Sequence, residues 1–193
     1  MPYFLNKLST VLFFKSKVYN LFFFKKINKR ILSNPESLWR GNRLNGQKII
    51  DGFLDYQKET IFLNDNIWKK NYGSISWNKY LNSFMWISDL RALGTDKARL
   101  FTRKKILSWI NDSDYTNPLL FEEDVLAKRI FFLLTNLSFF FETADQIFQK
   151  NFSENINKQC IILFNKLKKN RSSNKNIFAI KSLLLSSICF ENQ

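Results

Sequence analysis

The sequence predicts a mainly α-helical chain, an antiparallel helical array or toroid, with a small β-hairpin near residues 47–63. Three observations carry that expectation. From Trp77 onward, apolar residues recur at the 3.6-residue period of helices that bury one face. Only five Gly and three Pro interrupt 193 residues, too few for a turn-rich β design. Twenty-one Phe and an apolar share of 45% supply an aromatic core, and a chain of this length buries roughly 70% of its unfolded surface without staples.

The elements follow in chain order. Residues 1–34 form one unit, a basic amphipathic helix in which Val11, Leu12, Phe13, Phe14 and the cluster at 21–24 alternate with lysines. Its apolar runs are too short to span a bilayer and no small-residue cleavage site follows them. It suits a peripheral membrane contact, or packing on the rest of the protein with lysine stems laid over apolar surface. Residues 35–76 are turn-rich. Asn45-Gly46 reads as a turn, and 47–54 and 60–63 read as strands joined through Asp55, Tyr56, Gln57 and Lys58.

Residues 77–193 form the helical array. Trp77, Leu81, Phe84 and Ile87 share a face, and Gly94 closes that helix. Thr95 caps the next, with Asp96 in its first turn, and it runs to about Ile110. Glu122, Glu123 and Asp124 open another after Pro118, where carboxylates suit the helix dipole. Leu126, Ile130, Leu133 and Leu137 line it, but Phe131, Phe132 and Leu134 make its far side apolar too, which predicts burial all round. A helix continues or restarts at 144–150. Phe152, Ile156, Cys160, Leu163 and Leu167 line the next one, with Lys166, Lys168, Lys169 and Arg171 at its end. Ile177, Ile180, Leu184 and Ile188 mark the last.

Composition excludes much chemistry. With no His, the chain lacks Ser-His-Asp and Cys-His catalysis and nearly every zinc-enzyme ligand set. Cys160 and Cys189 alone build no metal centre and read as small core residues. No Gly-rich phosphate loop is present. No metal ligand set or cofactor is therefore expected in this chain, and no catalytic residue is singled out. The net charge of +14, half of it within residues 1–35, fits an anionic partner. It also fits codon drift, since Lys, Asn, Ile and Phe have A/T-rich codons. Nothing matches a helix-turn-helix, RRM or KH pattern, so nucleic acid rests on charge alone.

The densest segment is Trp86-Ile87-Ser88-Asp89-Leu90-Arg91-Ala92-Leu93-Gly94. Asp89 and Arg91, two apart on a helix, point to different sides, so each needs its own partner. Either they form ion pairs between helices, or Arg91 binds an anion with Asp89 orienting it. Arg129, inside an apolar helix, invites the same two readings. Trp39, Trp77, Trp86 and Trp109 stack on sugar rings or bases, or fill the core. The candidate substrate-binding residues are Trp86, Asp89, Arg91 and Arg129.

At these residues the chain resembles the N-terminal part of heparinase II/III family proteins, in the branch common in alphaproteobacteria. The matching pieces are Trp39-x-Gly41, Gly46-x-x-Ile49-x-x-Gly52-Phe53, Trp68, Trp77, and Phe84-x-Trp86-x-x-Asp89-Leu90-Arg91-Ala92-Leu93-Gly94. Ala98-Arg99, Trp109-Ile110, the basic N-terminal helix and the helix over 179–189 follow in order. The resemblance implies a partial α/α toroid followed elsewhere by further helices and a β-sandwich domain. It implies an anionic polysaccharide as partner and β-elimination at a uronate as the reaction. The family's catalytic His has no counterpart here, so this portion is expected to be inactive without the β-sandwich domain or a downstream chain; the alternatives are a basic helical binding module for a polyanion and a non-functional gene fragment. An unaccompanied fragment is expected to expose an apolar face. The family suggests the cell envelope or periplasm; the absence of a clear signal peptide suggests the cytoplasm.

Overall fold

The computed structural model describes residues 40–64, 67–169 and 177–190, and also 12, 31 and 35. The amphipathic helix expected over 1–34 lies outside the described residues, apart from a helical, exposed Leu12 and Ile31, which forms an isolated antiparallel bridge with Phe190. Among the described residues the chain is mainly helical with one two-stranded antiparallel hairpin, as the sequence predicts. No helix among the described residues is long and apolar enough to cross a membrane.

Helix α1, Arg43–Ile50, corrects the first of the expected strands. Asn42 caps it, its Oδ1 accepting from the backbone N–H groups of Leu44 (2.8 Å) and Asn45 (3.3 Å). Asn45-Gly46 is thus inside a helix rather than a turn. Gly46 is there because another helix passes close by, as shown below. The chain reverses at Gly52, whose φ of 97° favours glycine. Strands β1 (Phe53–Tyr56) and β2 (Glu59–Phe62) then pair with Phe53 opposite Phe62 and Tyr56 opposite Glu59. Lys48 on α1 ties down the hairpin through an ion pair to Asp55 at 2.6 Å.

Helix α2, Ile75–Ser83, starts at Ser74, whose hydroxyl accepts from the Trp77 N–H. The single helix expected across Trp77 to Gly94 is broken in the middle. Phe84 adopts a left-handed conformation at φ 57°, which costs a non-glycine residue roughly 1–2 kcal/mol. Packing offsets that cost. The Phe84 ring is fully buried, 5.5 Å from Trp68, 5.3 Å from Trp86 and 5.9 Å from Trp109.

Helix α3, Ile87–Leu93, ends at Gly94 as predicted, and Thr95 caps α4, Asp96–Asp112, by accepting from Ala98. A 3₁₀ turn at Pro118–Phe121 leads into α5, Glu123–Leu134, with its acidic first turn. The short α6, Leu137–Phe140, precedes α7, Gln146–Lys169, which merges two of the expected helices. Asp145 starts it by accepting from the Phe148 N–H at 2.8 Å. Helix α8 is Ile177–Cys189. Among the described residues α5 is the central rod, packed against α2, α3, α7, α8 and the 3₁₀ turn, which agrees with its apolar circumference.

The orientation of α8 is set by its small residues. Ile177, Ile180, Leu184 and Ile188, which mark this helix in the sequence, are exposed by 81%, 38%, 61% and 64%. Ala179, Ser182, Ser186 and Cys189 are buried instead. Small side chains let α8 approach α5 closely enough for the Ser182 hydroxyl to donate to the Ala127 carbonyl at 2.8 Å. Cys189 is buried, as expected of a small core residue, and Cys160 is half-buried.

Candidate functional site

The residues that the sequence singles out fall into two places. The first is the seam between α1 and α3. Asn42 presents its backbone N–H to Asp89 Oδ1 at 2.7 Å. One residue earlier, a Cβ on Gly41 would stand 1.9 Å from the Ser88 carbonyl oxygen. A Cβ on Gly46 would stand 2.3 Å from the Asp89 carbonyl oxygen. The two glycines therefore let α1 and its lead-in lie directly on the backbone of α3, and the Asp89 carboxylate pins the start of α1 there. Burial raises the Asp89 carboxyl above its ordinary value, while the Asn42 N–H and the Asn45 side chain pull it back.

Asp89 also borders a shallow notch lined by Asn45, Lys48, Asp55 and Tyr80 together with Ile49, Phe53 and Leu54. The notch has room for about one water molecule, too little for a sugar ring. Tyr80 stacks on Tyr56 with centroids 4.2 Å apart. Its phenol is pushed up by burial first, then by Asp89, so it stays a neutral hydrogen-bond donor at neutral pH. Across the notch, hydrogen bonds from Lys48 and then Thr60 hold the Asp55 carboxyl below its ordinary value.

A titration separates the structural role of Asp89 from a solvated one. Its folded-state pKa lies above the unfolded value, so between 3.8 and the raised value the folded form holds more protons. Stability from this group is therefore gained as pH falls through that window and lost as pH rises through it. Asp89→Asn keeps an oxygen for the Asn42 N–H but cannot titrate. The melting temperature of the wild type, relative to Asp89→Asn, is expected to rise as pH is lowered from 7 towards 4. Parallel curves would mean that Asp89 sits in a water-like environment.

The second place is the core beneath α5. Arg129 is fully buried. Its Nε donates to Gln159 Oε1 at 2.7 Å, one terminal nitrogen to the Asn82 carbonyl at 3.1 Å and the other to the Leu120 carbonyl at 2.5 Å. The guanidinium carbon lies 4.4 Å from the Trp109 ring centroid. These three hydrogen bonds go to neutral oxygens rather than to a carboxylate. Burial lowers its pKa to about 9, which leaves it charged at neutral pH. One cation thus joins α2, the 3₁₀ turn, α4, α5 and α7. The Trp109 indole donates to Asn82 Oδ1 at 3.1 Å, and Gln159 donates to Asn155 at 2.6 Å, extending the network.

Trp86 is buried at the start of α3, where its indole N–H donates to the Leu81 carbonyl at 3.0 Å. It connects with Arg129 through the rings of Phe84 and Trp109. Neither Trp86 nor Arg129 reaches solvent here, so both serve the core rather than a glycan surface. Arg91, half-buried in the last turn of α3, is 200° around the helix from Asp89, so the two are not brought together. Asn82, Asn155 and Gln159 were not singled out by sequence. Their signal was a polar residue standing within an otherwise apolar helical stripe.

Among the described residues no group of three His, Cys, Asp or Glu side chains is placed to hold a metal ion. Compared with family models, with curated proteins and with solved structures, the chain finds no match in any of the three.

Proposed function

We propose that the chain is the opening helical portion of a heparinase II/III-like protein that acts on uronic-acid-containing glycans by β-elimination. Its contribution is scaffold and polymer contact rather than proton transfer. The supporting observation is a convergence. Gly41, Gly46, Asp89, Leu93 and Gly94 are among the residues that carry the resemblance, and the first four meet in one contact between α1 and α3 while Gly94 ends α3. Residues scattered over more than fifty positions thus form one structural unit, as expected of a family signature that maintains a scaffold.

The net charge of +14 suits a polyuronate. β-Elimination needs a base for the C5 proton and an acid for the leaving oxygen. In this reading those groups, the later toroid helices and the β-sandwich come from a following segment or a separate chain. Incubated with an unsulfated uronate polymer, the chain alone is expected to bind it and release no unsaturated uronate. Release of unsaturated product by the chain alone would overturn the scaffold assignment.

The net charge also favours a second reading, a helical module for any polyanion, nucleic acid included. That module would bind duplex DNA and polyuronate alike, with steep salt dependence for both.

A further inference from the structure

The outward face of α8 is the feature that neither the core nor the proposed glycan role absorbs. Ile177, Ile180, Leu184 and Ile188 recur at spacings that keep them on one side of the helix, and all four are exposed. The orientation is fixed from behind. Ala179 and Ser182 are sealed against α5, and the Ser182 hydroxyl is held by the Ala127 carbonyl. The stripe is therefore presented by a pinned helix.

Its electrostatic setting selects an occupant. The chain as a whole carries a net charge of +14, and α8 itself holds one charged side chain, Lys181. Lys181 is exposed at the edge of the stripe, its ammonium 5.0 Å from the Phe131 ring centroid of α5, and the neighbouring α7 ends in an exposed Lys168 and a half-buried Lys166. A second copy meeting this face about a two-fold axis would bring Lys181 towards its own equivalent, between chains of charge +14. A neutral apolar partner would leave the lysines without complement. An anionic bilayer surface satisfies both parts: aliphatic side chains enter the headgroup boundary while lysines meet lipid phosphates. At 13 residues α8 is far short of a span, so it would lie on the surface.

We infer that α8 is a surface-lying membrane contact, which seats the chain on anionic lipid through Ile177, Ile180, Leu184 and Ile188, with Lys181 at the edge of the stripe and Lys168 at the end of the neighbouring helix. The inference is independent of the glycan reading.

Vesicle flotation tests it. The full chain is mixed with vesicles of phosphatidylcholine alone, or of phosphatidylcholine with about one third phosphatidylglycerol. Wild type is expected to float with the anionic vesicles, at least about tenfold more than with neutral ones. Leu184→Asp with Ile188→Asp should reduce flotation at least about tenfold, because two carboxylates replace inserting aliphatics. Lys168→Gln with Lys181→Gln should weaken it less and flatten its salt dependence. Leu100→Asp, an exposed aliphatic on α4, controls for hydrophobicity elsewhere and should leave flotation unchanged. Near-ultraviolet circular dichroism of each variant verifies that the fold is kept. If the aspartates unfold α8, Leu184→Ser with Ile188→Ser replaces them and should still reduce flotation severalfold. The inference is overturned if wild type does not float, if the α8 variants float like wild type, or if light scattering finds a dimer that the α8 variants dissociate.

Discussion

Arg129→Ala is expected to lower the unfolding free energy by about 3–5 kcal/mol, enough to remove most of the stability of a typical domain. Two losses combine. Alanine leaves a void under the Trp109 ring, and it orphans Gln159 Oε1 and the carbonyls of Asn82 and Leu120. Arg129→Met separates them. Methionine refills the volume and removes a buried charge whose desolvation opposed folding, so it should recover about half of the loss. Arg129→Lys should stay close to alanine, because a single ammonium cannot reach three acceptors spread around a planar fork. Urea unfolding of the three variants gives the ranking directly. Equal stability of the alanine variant and the wild type would mean that the guanidinium is not the junction of α2, α5 and α7.

Gly41→Ala is the second large effect. The added methyl group would meet the Ser88 carbonyl oxygen at 1.9 Å, its carbon at 2.2 Å and the Asp89 nitrogen at 2.6 Å. All three are backbone atoms, so relief requires moving α3 itself, at a cost of about 3 kcal/mol or more. The shift also breaks the Asn42 to Asp89 hydrogen bond. Gly46→Ala, with its nearest atom at 2.3 Å, should follow closely. Gly94→Ala is the contrast. Its nearest neighbour stands at 3.6 Å, and its cost comes from a φ of 71° alone, about 1–2 kcal/mol. Thermal melts should rank Gly41 above Gly46 and both above Gly94. A Gly41→Ala protein as stable as Gly94→Ala would show that α1 does not lie on α3.

What the sequence disclosed was local. Thr95, Gly94 and the acidic start of α5 mark helix ends through side chains and dihedrals a few residues away. What it hid was set by distant partners. Asn45-Gly46 has the chemistry of a turn, but α3 requires its glycine for close approach inside a helix. Phe84 looks like one more residue of a helical stripe until three tryptophan rings hold it in a left-handed conformation. Helix α8 is apolar on most sides, so hydrophobicity alone does not choose its inner face. The closer approach allowed by Ala179 and Ser182 does.

The candidate site was legible to the same extent. Asp89 and Arg91 are separated on α3, as their spacing requires. Arg129 was recognisable as a buried cation in need of partners. Its partners could not be read, because two of the three are main-chain carbonyls, which have no signature in a sequence.

The claim that this chain belongs to a glycan-acting scaffold is tested most directly by matched titrations. The full chain is titrated with an unsulfated polyuronate and with a polyphosphate of equal charge density, at physiological ionic strength, with tryptophan fluorescence as the readout. The expected result is at least about tenfold tighter binding of the polyuronate, with a weaker salt dependence than the polyphosphate shows. Equal affinities with the same steep salt slope would contradict the glycan reading and leave a general polyanion-binding module in its place.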